Sequence, residues 1–336
     1  MNRSFTETLT KVILLLFLPV FLLSCSEEDG TNLPEVTPQI VFLFSPGGLG
    51  DMSYNDCILE GVQQFKKENP DIDIFMYSPD EFKESEKIFT DWVGRPGNNI
   101  PTLFVFASSD YDELVTQELT DITLPPNKRV LVFESRKKFC EGVSSFQICE
   151  YGASYLAGIT AAEACGDRNA LVVLANPTDD PIALACDGFR AGFGRECTVE
   201  YLAEDWTGYI SATLAYQKMD EWAANYGFIF PVAGGSNSGI YRYSREFDIC
   251  PLLAGMDTDQ SALSNRITGC VIKHIDKLIY KYLSEWLATK NLPASRVYDL
   301  ESGYIDWVLA PAYESAFRNT VESHRLEAIN KEQEIL

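Results

Sequence analysis

Short apolar runs rich in β-forming residues alternate with stretches of helical spacing along almost the whole chain. Gln39 to Phe44 reads as a buried strand, followed by a Gly-rich turn from Pro46 to Gly50. A helix from about Ser53 then puts Ile58, Val62 and Phe65 on one face. The strand Ile72 to Tyr77 leads to a helix from Asp80 to Val93, and Thr102 to Ala107 leads to a helix from Asp110 to Leu119. The strand Arg129 to Glu134 closes this half. Strand–helix units in succession predict a parallel sheet covered on both faces.

The pattern then restarts. Ala153 to Cys165 is helical and rich in small residues that permit close packing, and Pro181 to Phe193 and Ile210 to Tyr226 are further helices. The strands of this half are Ala170 to Ala175, Val199 to Ala203, Phe228 to Ala233, Pro251 to Met256 and Ile267 to Ile272. Ile275 to Thr289 is a long amphipathic helix with Leu278, Tyr282, Leu283 and Trp286 on its apolar side. The expected fold class is therefore α/β, with two similar doubly wound lobes. Open α/β sheets bind ligands at the carboxyl ends of their strands, so two lobes face to face would form a clamshell ringed by strand-end loops.

The N-terminus lies outside this pattern. Arg3 and Lys11 precede an apolar run of twelve residues, Val12 to Leu23. That suits a signal-peptide core and falls short of the roughly 20 residues a membrane-spanning helix needs. Leu22-Leu23-Ser24-Cys25 follows and resembles the lipobox of bacterial lipoproteins, which predicts cleavage after residue 24 and a lipid on Cys25. Residues 25–37 read as a polar tether. The expected location is the cell envelope, on the periplasmic side or the outer surface, held to the membrane by that lipid.

Charge narrows the partners. Without residues 1–24 the chain has 25 basic and 48 acidic residues. So negative a body disfavours nucleic acid and anionic surfaces as partners, and favours a neutral ligand over a polyanion. Eight cysteines remain (57, 140, 149, 165, 186, 197, 250 and 270), an even number that makes disulfides plausible in an exported protein. Cys140 with Cys149, Cys186 with Cys197 and Cys250 with Cys270 are the short-range pairings. Only His274 and His324 are present and no CxxC occurs, so neither a metal nor another cofactor is expected.

Four strand-end clusters carry candidate chemistry. The segment Gly47 to Asp56 offers glycines for close backbone approach and Ser53 as a helix N-cap, with no Gly-Lys-Ser/Thr for a phosphate loop. Gly234-Gly235-Ser236 opens another strand-to-helix turn, and Ser238 stands where a nucleophile elbow needs Gly. Asp257 ends a strand, where a carboxylate could share two neighbouring ribose hydroxyls or simply cap the next turn. Lys273 ends another, with a plain surface lysine as the alternative.

These segments resemble, in order, a known family. Gly48 to Asn55, Ser154 to Gly158, Asp187 to Phe193, Ala233 to Gly235, Gly255 to Gln260 and Val271 to Lys273, behind a lipobox, are similar to the basic membrane protein family of nucleoside-receptor lipoproteins serving ABC importers. The resemblance implies a type I periplasmic-binding-protein fold with a hinge, a nucleoside held between the lobes, an ABC permease as partner, a monomer, and no catalysis. It implies ligand contacts from Gly48, Asp51, Ser53, Tyr54 and Asn55, with Tyr54 stacking on the base. Gly234, Gly235 and Ser236 would meet the ligand at the second turn. Asp257 would hold the ribose hydroxyls with Lys273 nearby, Glu134 would supply an acid, and Trp206 a second aromatic. It also implies three crossings between lobes, giving lobe 1 as 38–137 plus 265–292, lobe 2 as 142–263 plus 296–320, and a helical tail at 321–336. Gly50 replaces the motif's first Asp, and Ser236-Asn237-Ser238 replaces Gly-Thr-Gly. A sugar or other polar metabolite on the same scaffold therefore stays open, as does a surface sensor or adhesin. A hydrolase is disfavoured, because neither histidine lies near a nucleophile motif.

Overall fold

The structure is a computed structural model describing residues 36–46, 48–96 and 98–336. The expected signal peptide, Cys25 and most of the expected tether lie outside the described residues. In chain order, β1 (Gln39–Leu43), α1 (Tyr54–Glu68), β2 (Asp73–Tyr77), α2 (Phe82–Gly94), β3 (Thr102–Phe106), α3 (Asp112–Leu119), β4 (Lys128–Phe133) and β5 (Val143–Ile148) build the first half. Then follow α4 (Tyr151–Ala164), β6 (Asn169–Leu174), α5 (Asp180–Phe193), β7 (Thr198–Tyr201), α6 (Ala212–Asn225), β8 (Tyr226–Val232), α7 (Asn237–Glu246), β9 (Leu252–Asp257) and β10 (Ile267–Lys273). Last come α8 (Ile275–Thr289), β11 (Arg296–Tyr298), β12 (Ile305–Leu309) and α9 (Glu314–Gln333).

Two six-stranded sheets result, ordered β11-β5-β4-β3-β1-β2 and β12-β10-β9-β8-β6-β7. Every pairing is parallel except β10 with β12. Strands such as β3 and β4 are buried almost throughout, as parallel strands covered on both faces must be. The chain passes between sheets after β5, after β10 and between β11 and β12.

The lobe boundaries therefore differ from the sequence expectation. β10, expected in lobe 1, pairs with β9 in the second sheet, and only its successor α8 returns to pack on α1, where Gly61 abuts the Asp276 carbonyl. β5, expected in lobe 2, belongs to the first sheet. It carries no apolar run: Ser144, Ser145 and Gln147 are buried and are satisfied through Pro293, Ser295 and Arg136. Polar strands of this kind have no hydrophobic signature, so periodicity passes over them.

The expected disulfides are absent: all eight described cysteines are free thiols. Cys140 is exposed whereas Cys149 is buried, and the Cys270 sulfur accepts the Gln260 N–H at 3.3 Å while Cys250 is only half-buried. Burial pushes the Cys57, Cys186 and Cys270 thiols up to about 12, which keeps them protonated and unreactive.

The tail docks in the body rather than projecting from it. Glu332 is fully buried, and its carboxylate accepts the N–H of Gly152 at 2.9 Å and of Leu300 at 2.8 Å. Gly152 opens α4 just after the first crossing, and Leu300 lies on the third. Any side chain at Gly152 would collide with Glu332.

Candidate functional site

The loop after β1 is ordered by two aspartates. Asp51 accepts the N–H groups of Ser53 and Asn55 at 2.9 and 3.0 Å, and Asp56 accepts those of Gly50 and Met52, both at 2.8 Å. Asp51 thus satisfies the free donors that open α1. Ser53 stands at the N-cap, but its hydroxyl makes no cap bond and instead donates to Asp257 Oδ2 at 2.6 Å, joining the first lobe to the second. Gly48 lies so near the Asn55 side chain that a Cβ there would sit 2.8 Å from it.

Beside this tie is a buried ionic cluster at the crossings. Lys273 ends β10, and its ammonium lies 2.6 Å from Glu150 Oε1, 3.0 Å from Asp257 Oδ1 and 4.0 Å from Glu134 Oε1. Glu150 precedes α4 at the first crossing, Glu134 follows β4, and Asp257 ends β9. Asp257 and Glu134 adopt φ of +69° and +55°, a region non-glycine residues avoid and which gathers at functional sites. Burial lifts the Glu150 carboxyl to about 8; the charges of Asp257 and Glu134 add to this, and Lys273 opposes it. Burial also raises Glu134, with Lys273 again opposing. The same ammonium sits 4.7 Å above the Tyr54 ring, so one face of that ring is already occupied.

The second lobe supplies the facing wall. A 3₁₀ turn at Gly234–Ser236 follows β8 and brings Gly235 against Asp51, while Gly234 lies against the Tyr209 ring. Trp206 opens another 3₁₀ turn and meets Phe82 of the first lobe edge-on, with centroids 6.1 Å apart. Ser236 faces away: it is fully buried, donates to the Gly208 carbonyl and accepts from Ser211 N–H, both at 2.6 Å. Its part is to fix the turn.

Between these walls lies a cavity of about 270 Å³. Gly48, Asp51, Tyr54, Asn55, Glu134, Trp206, Gly234, Gly235, Asp257 and Lys273 line it, whereas Ser53 and Ser236 stand behind it. Sequence reasoning missed Asp110, Glu150, Asp179 and Tyr209, which also line it. None of these sits in a glycine motif. Asp110 and Asp179 do occupy loops directly after β3 and β6, and strand-end position was the available signal. Among the described residues six carboxyl groups thus surround the cavity against one ammonium. Several of its buried polar atoms have no partner, namely Tyr54 Oη, Asn55 Oδ1, Glu134 Oε1, Glu150 Oε2 and Asp179 Oδ1. Buried polar groups left without partners are costly. Among the described residues no group of side chains could hold a metal ion, and no helix is long and apolar enough to cross a membrane.

Solved structures share the fold at low identity. A solute-binding protein of an ABC transporter system from Aeropyrum pernix is 17% identical with a TM-score of 0.67, over 89% of each chain. GanP, a glucose-galactose binding protein from Geobacillus stearothermophilus, is 15% identical with a TM-score of 0.58, over 82% of this chain and 98% of that one. A LacI family transcriptional regulator from Enterococcus faecalis with bound ribose is 14% identical with a TM-score of 0.59, over 80% and 96%. The architecture is thus the two-lobed periplasmic-binding-protein-like fold with a hinge region. No curated protein matches the chain. Residues 39–336 match the Bmp family, ABC transporter substrate-binding protein PnrA-like. The chain belongs to this family: it is the extracytoplasmic substrate-binding component of an ABC transport system, and not an enzyme.

Proposed function

We propose that the cleft captures a sugar-type, polyhydroxylated small molecule and delivers it for ABC import. The observation that carries this is the set of partnerless buried acceptors, Asn55 Oδ1, Glu134 Oε1, Glu150 Oε2 and Asp179 Oδ1, around a single cavity. Hydroxyl groups suit such a set, each bond contributing about 0.5–1.5 kcal/mol and about 1.5–3 kcal/mol where the acceptor is ionised. The bound ribose of one similar fold and the glucose-galactose ligand in the name of another support the same class. Anionic guests are disfavoured by the six carboxyl groups.

A nucleoside is the second reading, favoured by Tyr54 and Trp206 in the lining and by the motif resemblance. With Lys273 over one face of Tyr54, a base would have only the other face, and stacking would add about 0.5–1.5 kcal/mol. Both readings share a ring bearing neighbouring hydroxyls near Asp257 and use an open–closed movement in which the ligand selects the closed form.

A thermal-shift screen of hexoses, pentoses, nucleosides, free bases and nucleotides separates them. A true ligand at a hundred times its Kd should add about 2.7 kcal/mol of stability, and Asp257→Ala should abolish that shift. Shifts from nucleosides alone would favour the second reading, and shifts from nucleotides alone would sink both.

The lipobox-like segment supports a further element of the proposal, a lipid on Cys25 that holds the domain at the membrane. Several acyl chains would anchor it stably where one holds only reversibly. Expressed with its leader in a bacterium, the full chain should fractionate with membranes, and Cys25→Ser should release it. Membrane retention of that variant would remove the anchor.

A further inference from the structure

Among the described residues no cation pairs with two carboxyl groups on opposite lobes of the cavity. Asp110 lies in the 3₁₀ turn after β3, and Asp179 immediately precedes α5. Asp110 is exposed at the edge of the cavity and accepts the Ser108 hydroxyl at 2.8 Å. Asp179 Oδ2 accepts the Tyr209 hydroxyl, while its Oδ1 is buried without a partner. Among the described residues the sole cation lining the cavity, Lys273, is committed to Glu150 and Asp257. Burial and then the charge of Asp110 lift the Asp179 carboxyl to about 7, and Lys273 offsets this less than Asp110 adds to it.

A neutral hydroxyl would satisfy the free oxygen yet leave the acidic excess of the lining uncompensated, six carboxyl groups against the already paired Lys273. An ammonium supplies the donors and also offsets that acidic excess, and a charge-assisted hydrogen bond to a carboxylate is stronger than a neutral one. We infer that the ligand carries a protonated amine seated between Asp110 and Asp179, so that the protein takes an aminated sugar or nucleoside in preference to its neutral parent. This rests on the cavity being the ligand site proposed above and narrows its substrate class.

Calorimetric titration of the soluble chain tests it with D-galactose against D-galactosamine, adenosine against 5′-amino-5′-deoxyadenosine, and putrescine as an amine without hydroxyls. The aminated member of at least one pair should bind about tenfold tighter or more than its parent. Asp179→Asn and Asp110→Asn should each erase that ratio, and Asp179→Glu should keep part of it. Equal affinity within both pairs, or a ratio that survives both asparagine variants, overturns the inference. Binding of putrescine with no binding of either neutral parent upholds the amine site and sinks the hydroxyl reading. Failure of every amine to bind overturns the inference, whichever neutral compounds succeed.

Discussion

Replacing Gly192 by alanine should lower the free energy of unfolding by about 2 kcal/mol or more. Helices α4 and α5 meet backbone to backbone through Gly158, Gly188 and Gly192. A Cβ on Gly192 would fall deep inside the van der Waals radius of the Tyr155 carbonyl oxygen, and one on Gly158 would strike the Phe189 carbonyl. Both obstacles are helix backbone, which cannot rotate aside as a side chain would. Overpacking typically costs about 1–3 kcal/mol, occasionally more, and a rigid neighbour puts this site at the top of that range. The better helix propensity of alanine returns about 1 kcal/mol, which the clash outweighs. Urea denaturation checks it against Gly94→Ala, a helical glycine with nothing within 4 Å. A Gly192→Ala midpoint equal to the parent's would show that the helices can separate freely.

Lys273→Met should destabilise the protein by about 3–5 kcal/mol at pH 8, because it strands Glu134, Glu150 and Asp257 without a counter-charge. The deficit should shrink in acid, and the parent shows why. The Glu150 carboxyl lies at about 8 in the folded protein against an ordinary 4.5, so between these values the native state holds a proton that the unfolded chain releases. Its contribution to stability is complete below the lower value and is lost as pH rises through the upper one. The slope reaches at most about 1.4 kcal/mol per pH unit for one proton. Asp179, lifted to about 7, acts in the same direction. In the variant the carboxyls hold protons more tightly still, so urea midpoints of variant and parent should converge from pH 8 toward pH 5. A pH-independent difference, or none at pH 8, would mean the cluster is not electrostatically coupled.

Much of the fold was legible because parallel strands buried on both faces announce themselves as continuous apolar runs, as at Thr102 to Phe106. Glycine loops at strand ends marked one part of the cavity's lining, including Gly48, Asp51, Tyr54, Asn55, Gly234 and Gly235. What stayed hidden was polar. Nothing in Val143 to Ile148 separates a buried strand from a loop until Ser295 and Arg136 are in place to satisfy it. Ser53 has the residue type of an N-cap, yet Asp51 does the capping and frees the serine for a carboxylate 204 positions away. Asp110 and Asp179 gain meaning only when two loops from different lobes face one cavity. Such long-range pairings leave no trace in local spacing.

Glu332 also constrains how the lobes can turn. One carboxylate holds the start of α4 after β5 and the turn after β11, two of the three connections between the sheets. Neither can bend without dragging the other, and both carry the last turn of α9 with them. Two of the three links are thereby fastened to each other and to the same helix end, so that a turn of the lobes would move them together.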